Sequence, residues 1–176
     1  MKTLVNNVVQ FLTTYINLGC QIPSSITNEP NEGVQMIWDH IPNNFVDVIL
    51  DGDVYKFYAK NQNAQFSGST PTSKLMNKTI IGIMSNPNEL TPLTQNVLTM
   101  LHTLEQHYVP LPSTITTNQH TCTFQWNTQN DCYIEINVNE DSYNYFISVT
   151  GKTKDHIVES DVDTKTIDNI LLSWLK

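Results

Sequence analysis

At 176 residues, with 39% hydrophobic and 15% charged residues, the chain can bury a sizeable core and is too apolar for intrinsic disorder. All nine basic residues are lysine and the net charge is −8, which removes the arginine forks used on phosphate and argues against direct nucleic-acid binding. No run approaches the ~20 apolar residues of a membrane span, and Asn6, Asn7 and Gln10 interrupt the apolar start a signal sequence needs, so the sequence reads as cytoplasmic.

In chain order, Val5, Val8, Val9, Leu12, Tyr15 and Ile16 recur at steps of three and four and predict an amphipathic helix. Pro23 of "IPSSIT" is read as ending that helix and opening an extended segment. Three strands are predicted next: Val34, Met36 and Trp38 alternate, as do Val46, Val48 and Leu50, then Tyr55, Phe57 and Ala59, with "DGD" (51–53) as a tight hairpin turn. Residues 61–70 read as a polar loop, 72–86 as a closing helix and 87–95 as a linker.

The same order of signals then recurs. Val97, Leu98, Leu101, Leu104 and Tyr108 predict a helix, and "LPSTIT" (111–116) echoes "IPSSIT" (22–27). Strands are predicted around Cys122, Phe124 and Trp126, around Ile134, Ile136 and Val138, and around Tyr143, Tyr145 and Ile147. "DVDTKTIDNILLSWLK" reads as a final helix with Ile167, Ile170, Leu171 and Trp174 on one face. Asn7 aligns with Asn96, Val8 with Val97, Leu12 with Leu101, Pro23 with Pro112 and Trp38 with Trp126. The expectation is an α+β fold made by internal duplication of a helix–three-stranded antiparallel sheet–helix unit: 1–86, a linker at 87–95, then 96–176. Trp38 and Trp126 are expected at the centre of each core rather than as a ligand clamp.

The face opposite the tryptophans differs between the halves. It carries Ile37, Ile49, Val54 and Tyr58 in the first and Gln125, Asn137, Ser142 and Phe146 in the second. A sheet covered by helices on one side should be wet on the other. The first set therefore packs against the second copy or the 61–85 segment, or forms a partner-binding patch. Asp155, Glu159, Asp161 and Asp163 form an acidic cluster, which either caps the last helix and solvates a loop or mimics nucleic acid toward a basic surface.

Catalytic chemistry finds no foothold in the pattern. There is no nucleophile elbow and no phosphate-cradling glycine loop, and His40, His102, His107, His120 and His156 never align between the halves. His120, Cys122 and Cys132 hint at a metal, but Cys122 falls on a core-facing strand position and the first half holds no ligand set at the matching positions. The expectation is no catalytic residue, no metal and no cofactor, with Cys20, Cys122 and Cys132 reduced.

The string Pro23-Ser24-Ser25-Ile26, then "GVQMIW" (33–38), alternating apolar residues and Asp51-Gly52, resembles a pattern in small uncharacterised proteins of bacteria and their phages. It spans Ile22 to about Tyr58, and the second half lacks both glycines. The resemblance implies a mobile-element context, in which small acidic proteins inhibit host defence systems. The expected function is a non-enzymatic binding protein that blocks another macromolecule, such as a CRISPR effector. It would do so in the host cytoplasm, by occupying the basic surface of a nucleic-acid-handling protein complex. A structural or assembly protein of a phage, and a small enzyme of unrecognised type, are the alternatives.

Overall fold

A computed structural model describes residues 2–29, 32–39, 42–74, 77–84, 91–127, 132–149, 156–163 and 169–175. The chain divides into two compact units, Met1–Leu90 and Thr91–Lys176.

The first unit runs α1 (Lys2–Asn17), β1 (Ser25–Glu29), β2 (Gly33–Trp38), β3 (Phe45–Asp51), β4 (Val54–Lys60), β5 (Gln65–Pro71), a 3-10 turn (Thr72–Lys74) and α2 (Lys78–Met84). Its strands pair antiparallel in chain order as a meander. Strict alternation puts Val34, Met36, Trp38, Val46, Val48, Leu50, Tyr55 and Ala59 on a buried face. α1 covers that face with Val8, Phe11, Leu12 and Tyr15; Phe11 stacks on Tyr15 at 4.3 Å and meets the edge of Tyr55 at 5.5 Å. Each such side chain contributes about 1.5–3 kcal/mol by leaving water. α2 adds Ile80, Ile83 and Met84, and Asn44 donates to the Ile83 carbonyl at 3.0 Å.

Two glycines fix the local geometry. Gly19, at φ 82, closes α1: its N–H bonds Ile16 O at 2.9 Å while the Cys20 N–H bonds Tyr15 O at 3.0 Å. The helix is thus ended by a left-handed cap, not by Pro23. Gly33 starts β2 at φ +95, where a Cβ would stand 2.1 Å from Leu50 O, so no other residue fits.

The second unit runs α3 (Pro92–Gln106), β6 (Thr114–Thr117), β7 (Cys122–Asn127), β8 (Cys132–Val138), β9 (Ser142–Val149), β10 (His156–Asp163) and α4 (Asn169–Leu175). β6 to β10 also form an antiparallel meander. Thr91 caps α3, its hydroxyl accepting from the Thr94 N–H at 3.2 Å, with Pro92 in the first turn where its missing donor costs nothing. Val97, Met100, Leu101 and Leu104 bury against Phe124, Trp126, Ile134, Ile136, Tyr143, Tyr145 and Ile147.

Two side-chain clamps recur. Asn7 Nδ2 donates to Gly52 O at 3.0 Å in the β3–β4 turn, and Asn96 Nδ2 donates to Asn139 O at 2.9 Å and Glu140 O at 2.6 Å in the β8–β9 turn. Trp38 donates its indole N–H to Gln21 O at 2.8 Å, and Trp126 donates to Pro110 O at 2.9 Å. Both indoles are buried.

The expected duplication of a helix–three-stranded sheet–helix unit is not what forms. Among the described residues the molecule is mostly antiparallel sheet with four α-helices, and each unit holds five strands. The missing strands are polar ones: β5 occupies the expected loop at 61–70, and β10 occupies the start of the expected final helix. Edge strands can be wet on both faces, so they lack the apolar alternation that marks a strand in sequence. The expected linker also shrinks, since 92–95 are the first turn of α3. In α4, Leu171, Leu172 and Leu175 are buried while Ile170 is 53% exposed, so the predicted face is rotated. Ile167 lies outside the described residues. No described helix is long and apolar enough to cross a membrane.

Candidate functional site

Because alternation commits one face of each meander to the helices, functional side chains must stand on the other, here called the outer face. In the first unit β2, β3 and β4 place Ile37, Asp47 and Tyr58 in one row, and Gln35, Ile49 and Lys56 in the next. Ile37, Ile49 and Tyr58 are half-buried, and Val54, further along β4, is 36% exposed. Three of the four residues expected to form a patch are therefore brought together, with Val54 at its border.

The patch is not purely apolar. Asp47 stands between Ile37 and Tyr58, and Gln35 Nε2 donates to both of its carboxylate oxygens at 3.1 Å. Phe45 joins from the start of β3, its ring centroid 6.0 Å from that of Tyr58. Sequence reading missed Phe45 because it precedes the alternating run at Val46; its own place two residues before Asp47 was the available signal. The described residues of the 61–85 segment lie elsewhere. β5 extends the sheet beside β4, and Ile83 of α2 meets Asn44 with Met84 buried near Trp38 and Val46 on the helix side.

On the second unit the outer face is a hydrogen-bonded ladder centred on Glu135. Gln125 Nε2 donates to Glu135 Oε2 at 3.2 Å and to the Tyr133 hydroxyl oxygen at 3.0 Å. Tyr133 donates its hydroxyl to Glu135 Oε2, and Asn137 Nδ2 donates to Glu135 Oε1 at 2.9 Å. Thr123 extends the ladder by donating to Asn137 Oδ1 at 2.6 Å. The Tyr133 hydroxyl bond, joined by those from Asn137 and Gln125, holds the Glu135 carboxyl below the usual carboxylate range. Partial burial and the bond to Glu135 push the Tyr133 hydroxyl up to about 12. Glu135 stays charged and Tyr133 neutral near pH 7, so the pair is arranged to hold a proton in place rather than to pass one on.

Cys20 and Cys122 are likewise quiet. Burial pushes Cys20 up to about 11 and Cys122 up to about 12, even though Thr117 donates to the Cys122 sulfur at 3.3 Å. A thiol held protonated is a poor nucleophile and a poor metal ligand. His120 is exposed in the β6–β7 turn, Cys122 is buried in β7 and Cys132 begins β8; among the described residues no three His, Cys, Asp or Glu side chains converge.

The acidic cluster belongs to a strand. Glu159, Asp161 and Asp163 lie on β10 opposite Phe146, Asn144 and Ser142 of β9. Asp155 lies outside the described residues. No family model, no curated protein and no solved structure matches this chain.

Proposed function

We propose that the protein is a non-enzymatic binding protein that acts by occupying a surface of a protein partner. One observation carries the reading: Ile37, Ile49 and Tyr58 share the sheet face opposite the buried one, and where the second unit sets Gln125 and Asn137 in a polar ladder, with Phe146 in the place of Tyr58, the first unit sets two isoleucines. Apolar and aromatic side chains set among a few hydrogen-bonded polar groups are the composition of a protein-binding face, and Tyr and Phe supply its anchors. Protonated buried thiols and a saturated carboxylate add support, because neither is poised for chemistry. A net charge of −8 favours a basic partner, such as the nucleic-acid-handling surface of a larger complex.

The more specific form, an inhibitor of a bacterial defence complex such as a CRISPR effector, rests on the resemblance of residues 22–58 alone. A tagged full-length chain used as bait in bacterial lysate, beside Ile49→Lys and Tyr58→Lys baits, tests the reading. The expected result is a partner retained by the wild type and lost by both variants while their circular dichroism stays unchanged. A partner retained equally by all three contradicts the assignment of this face. Growing particles of the chain alone, with no partner, would favour a structural protein instead.

A further inference from the structure

β5 is the last strand of the first meander, and among the described residues β4 is its hydrogen-bonded neighbour. Its backbone phase can be read from the two ends of the hairpin. Asn61 N–H bonds Ala64 O at 3.0 Å and Thr72 N–H bonds Asp53 O at 2.8 Å, and both pairs keep the β4–β5 register. In an antiparallel ladder hydrogen-bonded pairs recur at every second residue. Phe66, Gly68 and Thr70 therefore turn their main-chain groups toward β4. Gln65, Ser67 and Ser69 turn N–H and C=O outward, and Pro71 turns out a C=O alone.

Natural edge strands are usually guarded by charge, bulges or brevity. β5 reads Gln-Phe-Ser-Gly-Ser-Thr-Pro: seven residues, none charged, with a lone proline at its end. It is solvent-exposed along nearly its whole length, and Phe66 is a 40% exposed aromatic. We propose that β5 is the seam of a symmetric homodimer, in which the β5 strands of two copies of this chain pair antiparallel about a two-fold axis at Gly68. In that register Ser67 faces Ser69 of the second copy, Gln65 faces Pro71 and Phe66 faces Thr70. Every outward N–H of the strand then finds a carbonyl, and the missing donor of Pro71 falls at the rim.

The self-complementary sequence of the strand points to a second copy as the occupant, and the absence of charge along it limits the repulsion between copies. Each copy carries −8, so two copies meet with least repulsion along a strip that holds no carboxylate, and the Ser-Gly-Ser centre is nearly its own complement. The glycine also suits the axis: on the helix side its vacant Cβ position is already filled by the Phe57 ring, 2.9 Å away, so a side chain at position 68 would displace that ring.

Sedimentation of the full chain across a wide concentration range tests this. The expected result is a reversible shift from 20.1 kDa to twice that mass. Ser67→Pro removes an outward donor without touching the β4 bonds, and Ser69→Lys sets two cations across the axis. Each should raise the dimer dissociation constant roughly tenfold or more, with Ser69→Lys keeping the wild-type melting temperature. A wild type that stays at 20.1 kDa throughout, or a dimer indifferent to Ser69→Lys, overturns the proposal.

Discussion

In the first unit Ile37, Asp47 and Tyr58 stand in one row across β2, β3 and β4; in the second, Gln125, Glu135 and Phe146 stand in the corresponding row of β7, β8 and β9. Both rows centre on a carboxylate. Glu135 accepts from Tyr133, Gln125 and Asn137, whereas Asp47 accepts from Gln35 beside aliphatic neighbours. A carboxylate ringed by donors fixes its surroundings and satisfies its own face. The other row leaves apolar surface next to polar groups, which is what a partner can cover. Two faces on similar strand frames thus differ in chemistry by a few side chains.

The helix sides show the opposite relation. Trp38→Ala and Trp126→Ala each remove a buried indole and its bond to a loop carbonyl. Each should cost about 3–5 kcal/mol by urea unfolding, and a cost confined to one of them would break the likeness of the two cores.

The outer faces should diverge next. Glu135→Ala strands three donors and should cost about 1 kcal/mol, since water can reach some of them. Its depressed carboxyl adds a pH signature. That stability is fully present above the ordinary glutamate value of about 4.3 and is lost as pH falls through the lower folded value. Wild-type stability should therefore drop faster in acid than that of Glu135→Ala, and identical acid limbs would mean that the ladder contributes nothing.

The smallest contrast sharpens the comparison at the helix ends. α1 closes on Gly19 at φ 82, but α3 closes on Tyr108 at φ 58, with its N–H on Glu105 O and the Val109 N–H on Leu104 O. A tyrosine in the left-handed region is held there at a cost of about 1 kcal/mol. Tyr108→Gly should stabilise the chain by about that amount and Gly19→Ala should destabilise it by as much, both read from melting temperatures.

The cores were legible in the sequence because burial enforces period two on Val34, Met36 and Trp38 and on Cys122, Phe124 and Trp126. The edges were not. Neither β5 nor β10 shows the alternation that burial of one face imposes, and the register that makes each a strand comes from its neighbours β4 and β9. Ile37, Ile49 and Tyr58 were visible as apolar residues on the wrong face. The Glu135 ladder was not, because it sets Gln125 of β7 beside Tyr133, Glu135 and Asn137 of β8, and hydrogen bonding among polar side chains leaves no apolar alternation to read.

The central claim is that the first outer face carries little of the fold's stability. Urea unfolding of Ile49→Lys measures it most directly. A folded protein within about 1 kcal/mol of wild type is the expected result; a loss of about 3 kcal/mol or more would show that Ile49 belongs to a core and would contradict the account.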